Sequence, residues 1–313
     1  MTKETKIFVA GHMGMVGSAI VRELNRMGLS NIVVRTLAEL DLRCQVSTEN
    51  FFAAEKPEVV FLAAAKVGGI LANMNNQGSF LLENLQIQCN IIDSAYRHNV
   101  SKLLFLGSSC IFPKEAVQPM QETALLTGAL EPTNEGYAIA KIAGLKMCEY
   151  YNRQAGANFI SVMPCNLYGY NDNFDLQNSH FLPALIRKFH DAKVSNNDTV
   201  TVWGTGKVYR ELLFVDDLAK ACIFLIKNYS DSEFINIGSG YDYTISDIAN
   251  MVKDIVGYRG EIVYDTTKPD GMYRKILDST KIKNLGWNPG VELCDGIALT
   301  YKWYVENLDS FRK

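Results

Sequence analysis

The sequence predicts an α/β protein: a Rossmann-type, doubly wound parallel sheet followed by a smaller C-terminal α/β substrate domain. Three observations carry that expectation. Short apolar runs rich in β-branched residues alternate with segments long enough for crossover helices. The first of these runs opens directly into a glycine triplet, "GHMGMVGSAI". With 313 residues and 48% hydrophobic side chains, the chain has room for one large domain or two modest ones.

The elements follow in order. Ile7 to Ala10 form the first strand, and Val16, Ile20, Val21 and Leu24 are spaced to line one face of the next helix. Further strands are expected in "NIVV", "EVVFLAAA", "KLLFLGSS" and "NFISVMP". Beyond Gly169 the pattern loosens. "YNDNFDLQNSH" is polar and reads as a loop, whereas "FLPALIRKFHDA" reads as a helix. "TVTVWGTG", "YRELLFVDDLAKACIFLIKN", "FINIGSG" and "YTISDIANMVKDIV" mix short strands with helices. A cofactor domain over residues 1–170 and a substrate domain over 171–313 are expected, with parts of the second returning to the first.

Composition narrows the function. A formal net charge of −3 gives no reason to expect nucleic acid or an anionic membrane as partner. No apolar stretch approaches the ~20 residues that cross a bilayer. "MTKETKIFVAG" lacks the apolar core of a signal peptide, so the cytoplasm is the expected compartment. Seven scattered cysteines without a C-x-x-C, and four histidines away from them, argue against a metal site. Most of these thiols are expected to be reduced, buried and inert.

Gly11, Gly14 and Gly17 stand between the first strand and its helix, with Met15 and Val16 opening that helix. Glycines there let backbone N–H groups approach a pyrophosphate, which the helix N-terminus favours electrostatically. After the second strand, where an NAD site usually offers a carboxylate, the chain has Arg35. A guanidinium suits a 2′-phosphate, so NADP(H) is the expected cofactor. Asp41 and Leu42 are expected near the adenine. A second constellation is "YAIAK", which sets Tyr137 and Lys141 on one helix face. The ammonium is expected to ease ionisation of the phenol, which can protonate a carbonyl oxygen while hydride reaches carbon. Ser108 would add a donor to the same oxygen.

With these residues in place, the sequence resembles the extended short-chain dehydrogenase/reductases along essentially its whole length. Within them, "LAAAKVGGI", "LGSSCIFP", "EPTNEGYAIAKIAG", "NSHFLPALIRKFHDA" and "KPDG" resemble the GDP-L-fucose synthase family. The resemblance implies NADPH-dependent reduction at C4 of a GDP-4-keto-6-deoxy sugar, after epimerisation at C3 and C5. It implies Cys110 as the base and His180 as the opposing acid, beside Ser108, Tyr137 and Lys141. It places Leu106, Gly107, Pro164, Asn166 and Leu167 on the cofactor, and Lys188, Trp203, Arg210 and Asp270 on the GDP-sugar. It also implies a homodimer formed through helices of the first domain.

Some positions depart from that family pattern. Met13 and Leu37 stand where arginine is frequent, Gly136 and Tyr170 where proline is usual, and Cys165 where threonine is usual. A C4 reductase acting on a related heptose, with little or no epimerase activity, is therefore a second reading. A non-catalytic NADP sensor is a third, although such sensors commonly lack the Tyr/Lys pair. A 4-epimerase that keeps its NAD would not need Cys110 and His180.

Overall fold

Ile-Phe-Val-Ala at residues 7–10 offers nothing to water on either face, so this strand belongs inside a sheet covered on both sides. All four residues are at most 1% exposed. In the computed structural model, which describes residues 1–176, 178–268 and 270–308, this run is β1 (Ile7–Ala10). Gln177 of the polar loop, Pro269 of "KPDG" and residues 309–313 lie outside the described residues.

From β1 the chain runs through α1 (Met15–Arg26), β2 (Ile32–Val33), α2 (Gln45–Glu55) and β3 (Val59–Leu62). It continues through α3 (Ile70–Asn75), α4 (Gln77–Arg97), β4 (Lys102–Leu106), α5 (Glu135–Ala155) and β5 (Phe159–Pro164). These strands form a parallel sheet in the order β2-β1-β3-β4-β5, and β9 (introduced below) adds a sixth strand beside β5. "NIVV" yields only two strand residues, because only Ile32 and Val33 find partners, in Ile7 and Phe8. The strand order reverses between β1 and β3, and crevices for ligands open at such points.

The remaining elements are β6 (Asn166–Tyr168), α6 (Phe181–Val194), β7 (Thr199–Trp203), β8 (Tyr209–Phe214), α7 (Val215–Asn228) and β9 (Ile235–Ile237). Then come β10 (Asp242–Thr244), α8 (Ile245–Val256), β11 (Glu261–Asp265), β12 (Arg274–Lys275), α9 (Thr280–Asn284) and α10 (Leu293–Glu306). The centre of this second part is β8. Its first half lies between antiparallel β10 and parallel β12, and its second half pairs in parallel with β6. Phe189, Ile248, Val252, Ile297 and Tyr304 form a separate core around α6, α8 and α10. The segment α7–β9 crosses back: Leu218, Cys222, Ile235 and Ile237 belong to the core of the first sheet. The GDP-sugar candidates on β7 and β8 are thus carried on two small sheets, β11-β7 and the one built around β8, in a chain that is anchored in the large sheet.

Candidate active site

The loop after β1 is shaped by contacts that exclude a Cβ. Gly11 has φ of +84°, and a Cβ there would lie 2.7 Å from Ala64 Cα. A Cβ on Gly17 would come within 2.2 Å of Gly11 O. Gly14 caps α1, and its N–H donates to Gly11 O at 2.9 Å. This bare-backbone cradle at a helix N-terminus, with Met15 and Val16 as its first turn, fits a dinucleotide pyrophosphate. Around it, Leu42 packs on the sheet core and its carbonyl accepts from Asn90 Nδ2 at 2.9 Å. The Asp41 carboxylate is held by Arg43, whose Nη2 donates at 2.9 Å. Arg35 lies back along α2: its guanidinium pairs with Glu55 and stands 5.6 Å from the centre of the Phe51 ring. Glu55 also pairs with Lys6 at the start of β1, so the Arg35 cation rests toward the end of the sheet opposite the glycine loop.

At the end of β4 the chain must turn sharply. A Cβ on Gly107 would lie 2.2 Å from the end of the Met163 side chain and 3.2 Å from Val162 O, so a larger residue there would have to displace Met163. The short turn Ser109–Ile111 then tucks Cys110 inward, and the Ser108 hydroxyl accepts from Cys110 N at 3.4 Å. From α5, Lys141 reaches the same place: it is buried, its Nζ donates to Leu106 O at 2.8 Å, and it lies 5.7 Å from the Tyr137 ring centre. The Ser108 hydroxyl faces both the Tyr137 phenol and the Cys110 thiol. Contrary to the sequence expectation, the phenol is not eased toward ionisation. Burial pushes its pKa up, the Cys110 thiol adds to that, and Ser108 pulls back only in part. A neutral phenol is the form that can donate a proton. Burial brings Lys141 down to about 8.

His180 caps α6 with an extended backbone and keeps an exposed edge, while the crowding around it and the nearby Lys275 lower its pKa. Pro164 ends β5, and Asn166 and Leu167 start β6, with Asn166 Nδ2 donating to Glu211 O at 3.0 Å. On the other side, Trp203 is 51% exposed, with the Lys188 and Lys268 ammonium groups each 5.6 Å from its ring centre. An exposed aromatic flanked by cations is a stacking surface, not core. Arg210 does not pair with Asp216 or Asp217. It donates to Tyr209 O at 2.7 Å, Met272 O at 2.8 Å and Asp270 O at 3.2 Å. The Asp270 carboxylate instead holds Thr205, accepting from its N–H at 2.7 Å and its hydroxyl at 2.9 Å.

Comparison with known proteins places this arrangement. The NAD dependent epimerase/dehydratase family matches residues 7–238. A putative GDP-L-fucose synthase 2 of Arabidopsis thaliana is 59% identical over 308 residues, 98% of this chain and 94% of the relative. The GDP-L-fucose synthase of Escherichia coli K12 is 50% identical, covering 100% of both chains. This chain belongs to the GDP-L-fucose synthase family. Among solved structures, a GDP-mannoheptose C4 reductase from Campylobacter jejuni with NADP bound superposes with a TM-score of 0.90 at 43% identity. That match covers 97% of this chain and 99% of the other.

Within this family two of the departures noted in the sequence, Gly136 and Tyr170, make local contacts of their own. Gly136 donates its N–H to Gln77 Oε1 at 3.1 Å, a bond that proline could not make. The Tyr170 ring lies under the Arg22 guanidinium, 5.2 Å from its centre, and Arg22 also pairs with Asp216 at the start of α7. Cys165 is buried, and its N–H donates to Ile237 O at 2.9 Å. Met13 and Leu37 are exposed. Nothing in the structure explains the choice of methionine and leucine there.

Two residues of the site escaped the sequence reading. Lys275, on β12, stands in the electrostatic range of Cys110, Cys165, His180 and Arg210. Glu211 is fully buried and binds two backbone N–H groups, Gly240 at 2.8 Å and Leu277 at 2.9 Å. A two-residue strand shows no periodicity, so "RK" gave no signal for Lys275. Glu211 followed Arg210 in an apolar run, and a carboxylate inside such a run was the one available clue.

Proposed function

We propose that this protein is an NADPH-dependent epimerase–reductase that converts GDP-4-keto-6-deoxymannose into GDP-L-fucose. The observation that carries this reading is the single Ser108 hydroxyl facing both Cys110 and Tyr137. C3 and C5 both flank the C4 ketone, so loss of either proton places charge on O4. An oxygen held by Ser108 and Tyr137 serves that enolate and also the later reduction. Cys110 takes the proton from C3 and from C5, and His180 returns one from the opposite face. Tyr137 then protonates O4, and Lys141 holds the ribose of the cofactor. When bound, NADPH supplies the hydride that reaches C4.

The cofactor lies in the Gly11–Gly17 cradle, with Asp41 and Leu42 at its adenine end. Arg35 reads the 2′-phosphate after leaving Glu55. Leu106, Gly107, Pro164, Asn166 and Leu167 line its nicotinamide end. Trp203 and Lys188 bind the guanosine side of the substrate, and Arg210 the diphosphate. Asp270 holds the turn beside them. The protein acts in the cytoplasm as a homodimer through α4 and α5.

Turnover in D₂O tests the reading, with label at each sugar carbon followed by NMR and mass spectrometry. Deuterium at C3 and C5 of a fully reduced product is expected. Its absence there would overturn the epimerase half. The second reading, C4 reduction of a GDP-4-keto-6-deoxyheptose, draws on the likeness to the mannoheptose reductase. Faster reduction of that heptose than of the hexose, with no label at C3 or C5, would favour it.

A further inference from the structure

A buried thiolate is costly unless a cation stands against it. Cys110 meets that problem, being 7% exposed. Two ammonium groups come near it, Lys141 from α5 and Lys275 from β12. Lys141 is committed to the Leu106 carbonyl, its Nζ donating at 2.8 Å. Among the described residues, the Lys275 ammonium has no hydrogen-bond or ion-pair partner. Its place is set by the strand that carries it. It lies opposite Arg210 in the parallel pairing of β12 with β8, and the buried Glu211 carboxylate fixes Leu277 just beyond it. The chain leaving Cys110 is stitched to the same strand. Met120 N donates to Ile276 O at 2.9 Å, and Asp278 N returns to Met120 O at 2.8 Å. The Ile276 N–H donates to Gln118 Oε1 at 2.9 Å.

We propose that Lys275 is a positioning residue for the base: its ammonium holds the Cys110 thiolate in the closed site and so sets the rate of proton removal from carbon. This rests on the reading of Cys110 as the base given above. In that step the proton passes from carbon to Sγ, the C–H electron pair moves toward the ketone, and Lys275 stays an ammonium throughout. The groups facing Cys110 are Lys275, Lys141, Tyr137 and Ser108; those facing Lys275 are Arg210, Cys165, His180 and Glu131. Of these, Glu131 is turned to Lys114, with 3.7 Å between charged atoms. Among the described residues, Glu131 is the one carboxylate that acts on Lys275, and it does so less than Cys110. Burial pushes the Cys110 thiol up, and Lys275 is the largest of the influences that draw it back.

The test uses the full chain without substrate. Iodoacetamide is added across a pH series, and carboxamidomethylation of Cys110 is followed by peptide mass spectrometry, so that exposed Cys44 and Cys294 do not interfere. Lys275→Met is expected to slow alkylation at neutral pH about tenfold, one unit of thiol pKa, and to move the profile upward. Lys275→Arg should restore the wild-type profile. Thiolate absorbance, taken as the difference from Cys110→Ser, gives the same titration if the reagent cannot enter. Superimposable profiles for wild type, Lys275→Met and Lys275→Gln, all folded by circular dichroism, would overturn the proposal. At saturating substrate, deuterium entry at C3 and C5 should fall about tenfold in Lys275→Met, in step with the lost thiolate. Wild-type protein with a Lys275-dependent profile but no deuterium entry would overturn the role in proton removal and leave only the charge pairing, so the two failures are distinguishable.

Discussion

Ser108, Cys110, Tyr137 and Lys141 crowd one small volume, so the protonation of each depends on the others. Because burial keeps the Tyr137 phenol neutral, it is a ready acid, and Tyr137→Phe should lower kcat by about 10²–10⁴-fold with cofactor affinity almost unchanged. Stopped-flow hydride transfer and a cofactor titration separate the two effects. Lys141 leaves a stability signature. Its pKa is about 8 in the folded chain against an ordinary 10.5, so between those values the unfolded chain binds more protons. Stability of the cofactor-free protein should therefore rise with pH across that window, and Lys141→Met should flatten the rise. Urea unfolding midpoints measured on both proteins along the pH series check the sign. Arg35 is held by Glu55 in this structure, and it follows β2, where a 2′-phosphate reader is expected. Arg35→Ala should narrow the NADPH preference by roughly tenfold, the lower end of a charge-assisted contact. Ratios of kcat/KM for NADPH and NADH give the answer.

At the level of elements, the site depends on how closely backbones approach. A methyl group on Gly17 would press into Gly11 O, which cannot yield without reshaping the cofactor loop. Gly17→Ala should raise the KM for NADPH at least about tenfold, an effect of roughly 1.4 kcal/mol, and circular dichroism should still report the fold. At the start of α5, a Cβ on Gly136 would lie 2.7 Å from Gln77 O. Gly136→Ala should cost about 1–3 kcal/mol, as overpacking typically does. Denaturant unfolding reads this directly.

For the whole molecule, α4 and α5 pack along each other and still leave Leu82, Tyr96, Ile139 and Tyr150 exposed. Apolar side chains left outside on adjacent helices are what a symmetric dimer covers. Sedimentation should report a dimer for the wild type and a monomer for a Leu82→Glu/Ile139→Glu variant. The longer connection is internal. Through α7 and β9 the chain returns to the first core after building β8, so the GDP-sugar candidates and the cofactor loop rest on one continuous framework. Among the described residues, no helix is long and apolar enough to cross a membrane.

Local chemistry made part of this protein legible in sequence. The strand runs, the glycine triplet, the Tyr137/Lys141 spacing and the special turn at "GSSCIFP" are written in neighbouring residues, and short-range sterics and periodicity read them. The carbonyl partner of Lys141, the resting place of Arg35 on Glu55 and the raised pKa of the Tyr137 phenol were decided by tertiary packing, which no local pattern reports. Lys275 is the clearest case. A lysine in a two-residue strand looks like any solvated charge until the pairing of β12 with β8 and the stitch from Met120 bring it beside Cys110. Sequence determined which groups were present and which local turns they could form. Tertiary structure decided which charges meet out of water, because that depends on contacts between segments distant in sequence, 65 residues for the pairing of β12 with β8 and 158 for Ile276 with Gln118.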